Sequence, residues 1–295
     1  MVARPPAKRQ PGTGAPRPGD FGYTRATVLF ALLAGLGFVG GFLSGLLGIG
    51  GGIVLVPLLL FVPRLLGFPS LDMRDVAGIT MVQVFAAAAL GSVLHRRYRA
   101  TNSQVVQWMG AGMIVGAAIG GVVSKYVTLT VLEAAFVVLA FAAAPLLFVP
   151  PPADEIGEGP ARDVAPGLAF GAALAIGLLS GLVGVGGAFL VIPVMIYFFG
   201  LPTRAAIGSS LGVMLVSALA GVLAKLVTGQ VMLPWAAALV AGALPGTWVG
   251  ATASRRVPAR GLRLALAVLV TVTATRLLVD LVMTLRSTPP SAVGR

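Results

Sequence analysis

Two stretches of this sequence place glycines and hydroxyl-bearing residues where they could hold a negatively charged solute. GFLSGLLGIGGGIVLVPLLL at 41–60 returns as GLLSGLVGVGGAFLVIPVMI at 177–196. Ser44, Gly45, Gly48, Gly50, Gly51 and Pro57 recur as Ser180, Gly181, Gly184, Gly186, Gly187 and Pro193. The glycines Gly48, Gly50, Gly51 and Gly52 permit backbone angles closed to other residues and so interrupt a helix. Amides freed by such a break lack a partner, and in hydrocarbon each orphan costs several kcal/mol. The break is tolerable where it is buried in protein or faces water. A helix restarting at Ile53 aims free N–H groups and a positive dipole end into that space, and an anion is the natural occupant. No acidic residue lies near either break. The competing account is that the glycines only let helices cross closely. A Gly-rich interruption at matching positions of two apolar halves is the best sequence pointer to a transporter's binding site.

The segment after each break adds polar groups. The first has Thr80 and Gln83 in GITMVQV, the second Ser209 and Ser210 in IGSSLGV, and Thr80 aligns with Ser210. Hydroxyls and amides donate to oxyanion oxygens without bringing a full charge into the bilayer, although Ser and Thr in helices also bond back to their own backbone. Arg74 and Arg204 match between the repeats and begin the helices that carry these segments. They either attract and gate anions or anchor at the interface by snorkelling. The candidate binding set is therefore Ser44, Gly48, Gly50, Gly51, Gly52, Thr80, Gln83, Ser180, Gly184, Gly186, Gly187, Ser209 and Ser210, with Arg74 and Arg204 as gating or anion-attracting residues. Catalysis would need a nucleophile–base pair or a metal cluster. The chain has no cysteine, one histidine and no paired intramembrane carboxylates, so it reads as no enzyme and calls for no metal or cofactor. The single histidine, His95, stands beside Arg96 and Arg97, where a headgroup-level role suits it better than a proton relay.

These residues need helices in lipid to position them. Charged residues make up 10% of the chain and hydrophobic residues 57%, whereas soluble domains carry about 25% charged residues. Apolar segments run at about 26–47, 52–62, 75–94, 104–124, 129–149, 167–185, 188–200, 205–226, 232–253 and 262–283. They do not alternate as barrel strands do, so all are expected to be helices, giving an all-α integral membrane protein. The expected organisation is a disordered basic tail at 1–25, a first membrane repeat at 26–149, a polar linker at 150–166, a second repeat at 167–283 and a disordered tail at 284–295. The run after the first tail reads as a membrane anchor rather than a cleaved leader. The net charge of +12 is assigned to loops facing the cytoplasm and anionic headgroups. Nucleic acid is excluded as a partner, because the arginines are scattered between spans. Gly112, Gly116 and Gly120, repeated as Gly242, Gly246 and Gly250, form the small-residue pattern of close helix packing. Contact within one subunit explains that pattern better than the seam of a homodimer, which stays possible.

The repeat fixes two topologies. Gly78 and Gly116 match Gly208 and Gly246, and Ser124 and Val127 match Ser254 and Val257, with a six-residue shift that implies a longer loop near 62–72 in the first half. Arg96, Arg97 and Arg99 pull one loop to the cytoplasm; Arg255, Arg256, Arg260 and Arg263 pull another. Both can be inside only if the halves are inverted, which needs an odd number of crossings per half. The broken runs supply it if each crosses twice with its glycines at a turn, giving up to ten segments. The other scheme counts each broken run once and gives eight spans with parallel halves. Inversion is favoured, and a re-entrant hairpin that returns without crossing would blur the count.

The paired GxxxGxGGG and VP blocks, AAIGSSLGV after the second break and HRRYRAT after the third helix resemble the TauE/SafE sulfite-exporter family. The resemblance covers about residues 26–283. It implies a bacterial anion permease of two duplicated modules in the cell (inner) membrane. It also implies a small sulfur-containing oxyanion as substrate: sulfite, sulfate, thiosulfate or an organosulfonate such as sulfoacetate. Alternating access around one central site is the expected mechanism; an anion channel on the same broken helices is the alternative. An inside-negative potential favours anion exit by about 2.3 kcal/mol per charge at roughly 100 mV, so export is the easier direction. One departure concerns the site itself: Ala188 stands where the first repeat has Gly52, so the first half-site is expected to differ in shape.

Overall fold

A computed structural model describes residues 23–48, 50–94, 103–148, 165–201, 203–254 and 259–287. The expected tails at 1–22 and 288–295, the linker residues 150–164, and His95, Arg96, Arg97, Arg99, Arg255, Arg256 and Val257 lie outside them. Ten helices follow one another, and no strand occurs among the described residues. They are α1 (Tyr23–Leu47), α2 (Gly52–Leu65), α3 (Met73–Leu94), α4 (Ser103–Val123), α5 (Leu129–Phe148), α6 (Pro166–Val183), α7 (Ala188–Pro193), α8 (Thr203–Val227), α9 (Leu233–Ala253) and α10 (Ala259–Ser287). A π-helical turn, Val194–Phe198, prolongs α7. Each helix falls on one of the ten apolar segments, because a chain this poor in charge must bond its own backbone wherever it meets lipid.

Among the described residues six helices (α1, α3, α4, α6, α8 and α9) are long and apolar enough to cross a membrane. The second helix of each broken run is shorter. The 14 residues of α2 extend about 21 Å at 1.5 Å per residue, against a hydrocarbon core of about 30 Å. Each broken run therefore holds one full-length helix and one partial one. The chain folds back at the break: a Cβ on Gly51 would meet the carbonyl of Gly40, and one on Gly40 would meet the Leu55 side chain. The extra length of the first half is shared between a longer α2 and a longer connection, 66–72 against 199–202.

Glycine lets two pairs of helices approach until backbone touches backbone. Gly37, Gly41 and Gly45 of α1 lie against the carbonyls of Leu239, Ala243 and Thr247 on α9, while Gly242, Gly246 and Gly250 lie against those of Ala34, Phe38 and Phe42 on α1. Gly112, Gly116 and Gly120 of α4 face the carbonyls of Phe170, Leu174 and Leu178 on α6 in the same way. Each added Cβ would come within 3.0 Å of a carbonyl oxygen. The small-residue stripes are thus seams inside one subunit, the arrangement that close packing without a hydrophobic driving force requires.

These seams also tie the halves together. The first helix of each half packs on the fourth of the other, α1 on α9 and α6 on α4, and the third likewise, α3 on α9 and α8 on α4. At the centre α3 crosses α8, where the Ser92 hydroxyl donates to the Leu211 carbonyl at 3.2 Å. At the edge α5 pairs with α10, whose Arg276 guanidinium lies 4.7 Å from the Phe61 ring of α2. Large apolar side chains such as Phe30, Trp108, Val138, Leu223 and Trp248 are exposed, as a lipid-facing perimeter demands.

Candidate functional site

The two breaks adopt the same backbone. Gly48, Gly50 and Gly51 have φ of 70°, 80° and 68°; Gly184, Gly186 and Gly187 have 78°, 81° and 70°. All six are buried. This left-handed region is open to glycine and strained for other residues, so the spacing seen in the sequence is the spacing of a fixed backbone turn. Gly52 is different. It is helical and opens α2 one residue before the expected start at Ile53. A Cβ there would meet the Val185 carbonyl at 2.6 Å and Val84 Cγ2 at 2.8 Å. Gly52 is therefore small because the second break presses on it, and this accounts for its difference from Ala188.

The breaks meet each other at the middle of the molecule. Val84 and Met214 lie near the centres of α3 and α8 and occupy matching repeat positions. A Cβ on Gly50 would collide with the Met214 sulfur and lie 3.7 Å from Val84. One on Gly186 would collide with Val84 and lie 3.6 Å from Met214. Each break thus touches the central helix of both halves. Val84, Ala88, Ala188, Leu211, Met214 and Ala218 form a small apolar cluster of their own there, apart from the main core.

Two helices start at this point. α2 begins after Gly51 and α7 after Gly187, and neither has a side-chain cap. The first backbone bonds back to these caps come from Val54 and Leu55 onto the Gly51 carbonyl and from Leu190 and Val191 onto the Gly187 carbonyl. The amides ahead of them have no partner within their helices. Two positive helix ends therefore converge in buried surroundings without a carboxylate among the residues of either break.

The polar candidates divide by how their groups are used. Gln83 is fully buried, and neither its amide oxygen nor its nitrogen has a partner. The hydroxyls of Ser44 and Ser209 are buried and unpartnered too. An amide left so costs about 1–3 kcal/mol per unmet group. Thr80 instead donates to the Val76 carbonyl at 2.6 Å, and Ser180 to the Gly177 carbonyl at 3.2 Å. Ser210 is fully buried. Arg74 donates from Nη2 to the Val127 carbonyl at 2.8 Å, while its Nε is buried without a partner. Arg204 begins α8 as expected, but its side chain lies outside the described residues.

One buried cation bears little mark in the sequence. Lys225, in the last turn of α8, is fully buried and donates to the Ser124 hydroxyl at 2.9 Å and the Leu182 carbonyl at 3.4 Å. The only sequence signal is an ionisable residue ending an otherwise apolar segment, the ordinary mark of an interfacial lysine. Val84 and Met214 carried no signal beyond their apolar character.

The chain matches the family model described as sulfite exporter TauE/SafE over residues 33–277. It is 26% identical over 245 residues to a probable membrane transporter protein, YunE, of Bacillus subtilis, covering 77% of this chain and 89% of that one. A probable membrane transporter protein of Methanocaldococcus jannaschii, MJ0441, is 26% identical over 200 residues, 68% of this chain and 73% of the other. No solved structure matches it.

Proposed function

Since the chain belongs to the sulfite exporter TauE/SafE family, we propose that it is a permease moving a small sulfur-containing oxyanion between the paired glycine breaks. That it is a multi-pass membrane transport protein rests on the family, on the two transporters it resembles and on six membrane-length helices. Its place is the bacterial inner membrane. The substrate is sulfite, sulfate, thiosulfate or an organosulfonate, held by backbone amides at the starts of α2 and α7 together with Gln83, Ser44 and Ser209. It needs no cofactor and performs no chemistry on its cargo.

The observation that carries this proposal is the meeting of two uncapped helix starts, built on matched left-handed glycines, beside buried polar groups that lack partners. Close packing alone explains the glycines of the α1–α9 seam. It does not explain why Gln83 is kept fully buried and unbonded, because an apolar residue there would be more stable. An anion with several acceptor oxygens meets the donors that are left over.

Alternating access suits this geometry better than an open pore. Val84 and Met214 close on both breaks at once, so an anion enters only when α3 and α8 shift relative to the hairpins. The glycine seams give α1–α9 and α4–α6 the character of two stiff bodies, each made from both halves. Purified protein in liposomes, supplied with sulfite, sulfate, thiosulfate and sulfoacetate in turn, tests the proposal. Saturable flux with counterflow is expected for at least one of them. Ohmic single-channel current would assign a channel, and no movement of any sulfur oxyanion would remove the substrate class.

A further inference from the structure

Beside the second break lies a cluster of polar groups that the central site does not use. Lys225 Nζ donates to Ser124 Oγ at 2.9 Å and to the Leu182 carbonyl, two residues before the left-handed Gly184. Ser124 Oγ lies 2.7 Å from Gln230 Oε1 and 2.7 Å from the Gly121 carbonyl, and Gln230 Nε2 donates to the same carbonyl at 2.9 Å. Arg74 reaches the same end of the molecule, donating to the Val127 carbonyl three residues beyond Ser124. The first turn of α3 brings it there: a Cβ on Gly184 would strike the Ala77 backbone, and one on Gly78 the Gln230 carbonyl.

Charge balance sets the problem. Lys225 is fully buried and bonded to neutral oxygens, and Arg74, on the adjoining helix α3, keeps a buried, unpartnered Nε. A buried charge is ordinarily paired or coordinated, and an intramembrane lysine is a functional group by default, its partner to be named. Among the described residues no carboxylate is hydrogen-bonded to Lys225 or Arg74. The neighbouring carboxylates engage each other's turn and Arg74 rather than Lys225: the Asp75 backbone N–H donates to Asp72 Oδ1 at 2.8 Å, and the Asp75 carboxylate is attracted to Arg74. Lysine caps the end of α6 through the Leu182 carbonyl, but it does so at the cost of desolvating an ammonium that a methionine would spare.

We propose that Lys225 and Arg74, beside the bonded pair Ser124 and Gln230, form a second anion station that holds a small tetrahedral oxyanion at the flank of the second break. It rests on the anion-permease reading above and adds to it a stop on the path outside the central site. Full burial of Lys225 suits a compact free anion rather than a lipid headgroup, whose acyl chains must stay in the bilayer. The other half carries matching groups in sequence. The register that pairs Arg74 with Arg204 and Ser124 with Ser254 pairs Lys225 with His95. Ser254 repeats the local bond of Ser124, donating to the Ala251 carbonyl at 2.7 Å.

The test uses the full chain in detergent and in liposomes. Thermal stabilisation by sodium sulfate and thiosulfate is measured against sodium gluconate at equal ionic strength for the parent, Lys225→Gln, Lys225→Met, Arg74→Gln and Gly186→Leu. Both Lys225 variants and Arg74→Gln are expected to weaken apparent sulfate affinity at least tenfold, while Gly186→Leu, which obstructs the central site, is expected to lose flux and keep a sulfate response. In liposomes, Lys225→Met is expected to raise KM for flux at least fivefold. Sulfate affinity and KM unchanged in a folded, monodisperse Lys225→Met would overturn the station and leave the permease standing, with Lys225 reduced to a packing bond. Stabilisation by phosphatidylglycerol vesicles with none by sulfate would assign the site to lipid and overturn it likewise. A parent protein that neither binds nor moves any sulfur oxyanion would overturn both.

Discussion

At the scale of single residues, the groups that matter most are those left without partners. Gln83 and the hydroxyls of Ser44 and Ser209 are buried and unbonded, whereas Thr80 and Ser180 spend their hydroxyls on their own helices. This separates ligands from spectators with a sign that is unusual for a core substitution. Gln83→Leu removes an unmet amide of about the same size, so it should stabilise the substrate-free protein, by about 1–3 kcal/mol. It should also lower sulfur-oxyanion flux at least tenfold. Differential scanning fluorimetry beside liposome flux checks both. A lower melting temperature together with normal flux would make Gln83 a packing residue. Thr80→Val should change flux less than threefold, because its hydroxyl already serves Val76.

At the scale of elements, the two hairpins and the central pair α3 and α8 form one mechanical unit. Gly50 and Gly186 are barred from carrying side chains for two separable reasons, a left-handed φ and a neighbour in the way. Alanine at Gly50 meets both. Shortening the neighbour removes the second and leaves the first, about 1–2 kcal/mol of backbone strain. Gly50→Ala should therefore cut flux severely, and Gly50→Ala with Met214→Ala should recover a good part of it. Gly186→Ala should respond in the same way to Val84→Ala. Absence of rescue in both pairs would show that backbone strain alone governs the breaks. The elements themselves were legible in the sequence: ten apolar segments became ten helices, and the repeated glycines became repeated turns. Val84 and Met214 were not, because an apolar residue in an apolar helix gives no sign of which neighbour it touches. Lys225 was hidden for a related reason. A lysine ending a membrane segment usually reaches for water, and burial is set by how α4, α6 and the 228–231 loop close over it, which periodicity along one helix does not encode.

At the scale of the whole molecule, the seams and the topology are linked. Pairing α1 with α9 and α4 with α6 means neither half packs alone, so a fault in one seam should unfold the protein rather than loosen one module. Gly37 faces the Leu239 carbonyl, and Gly35, two residues earlier on the same helix, has nothing within 4 Å of its missing Cβ. Gly37→Leu should thus abolish recovery of monodisperse protein, and Gly35→Leu should leave yield within twofold. The same exchange of partners bears on orientation. Halves related by inversion would carry the first uncapped helix start and the second toward one anion from opposite sides, which two parallel halves would not do. That arrangement also gathers Arg96, Arg97, Arg255 and Arg256 on the cytoplasmic side, as the positive-inside tendency prefers. The absence of native cysteine makes the question simple to ask with single cysteines at positions 10, 158 and 256 and a membrane-impermeant maleimide on intact cells. Inversion with ten crossings predicts labelling at 10 and protection at 158 and 256. Eight spans with parallel halves predict protection at 10 and labelling at 256, with 158 protected in both. The short α2 and α7 would then be re-entrant segments whose glycine turns still meet at mid-molecule, and the anion would be approached by two hairpins from the same face.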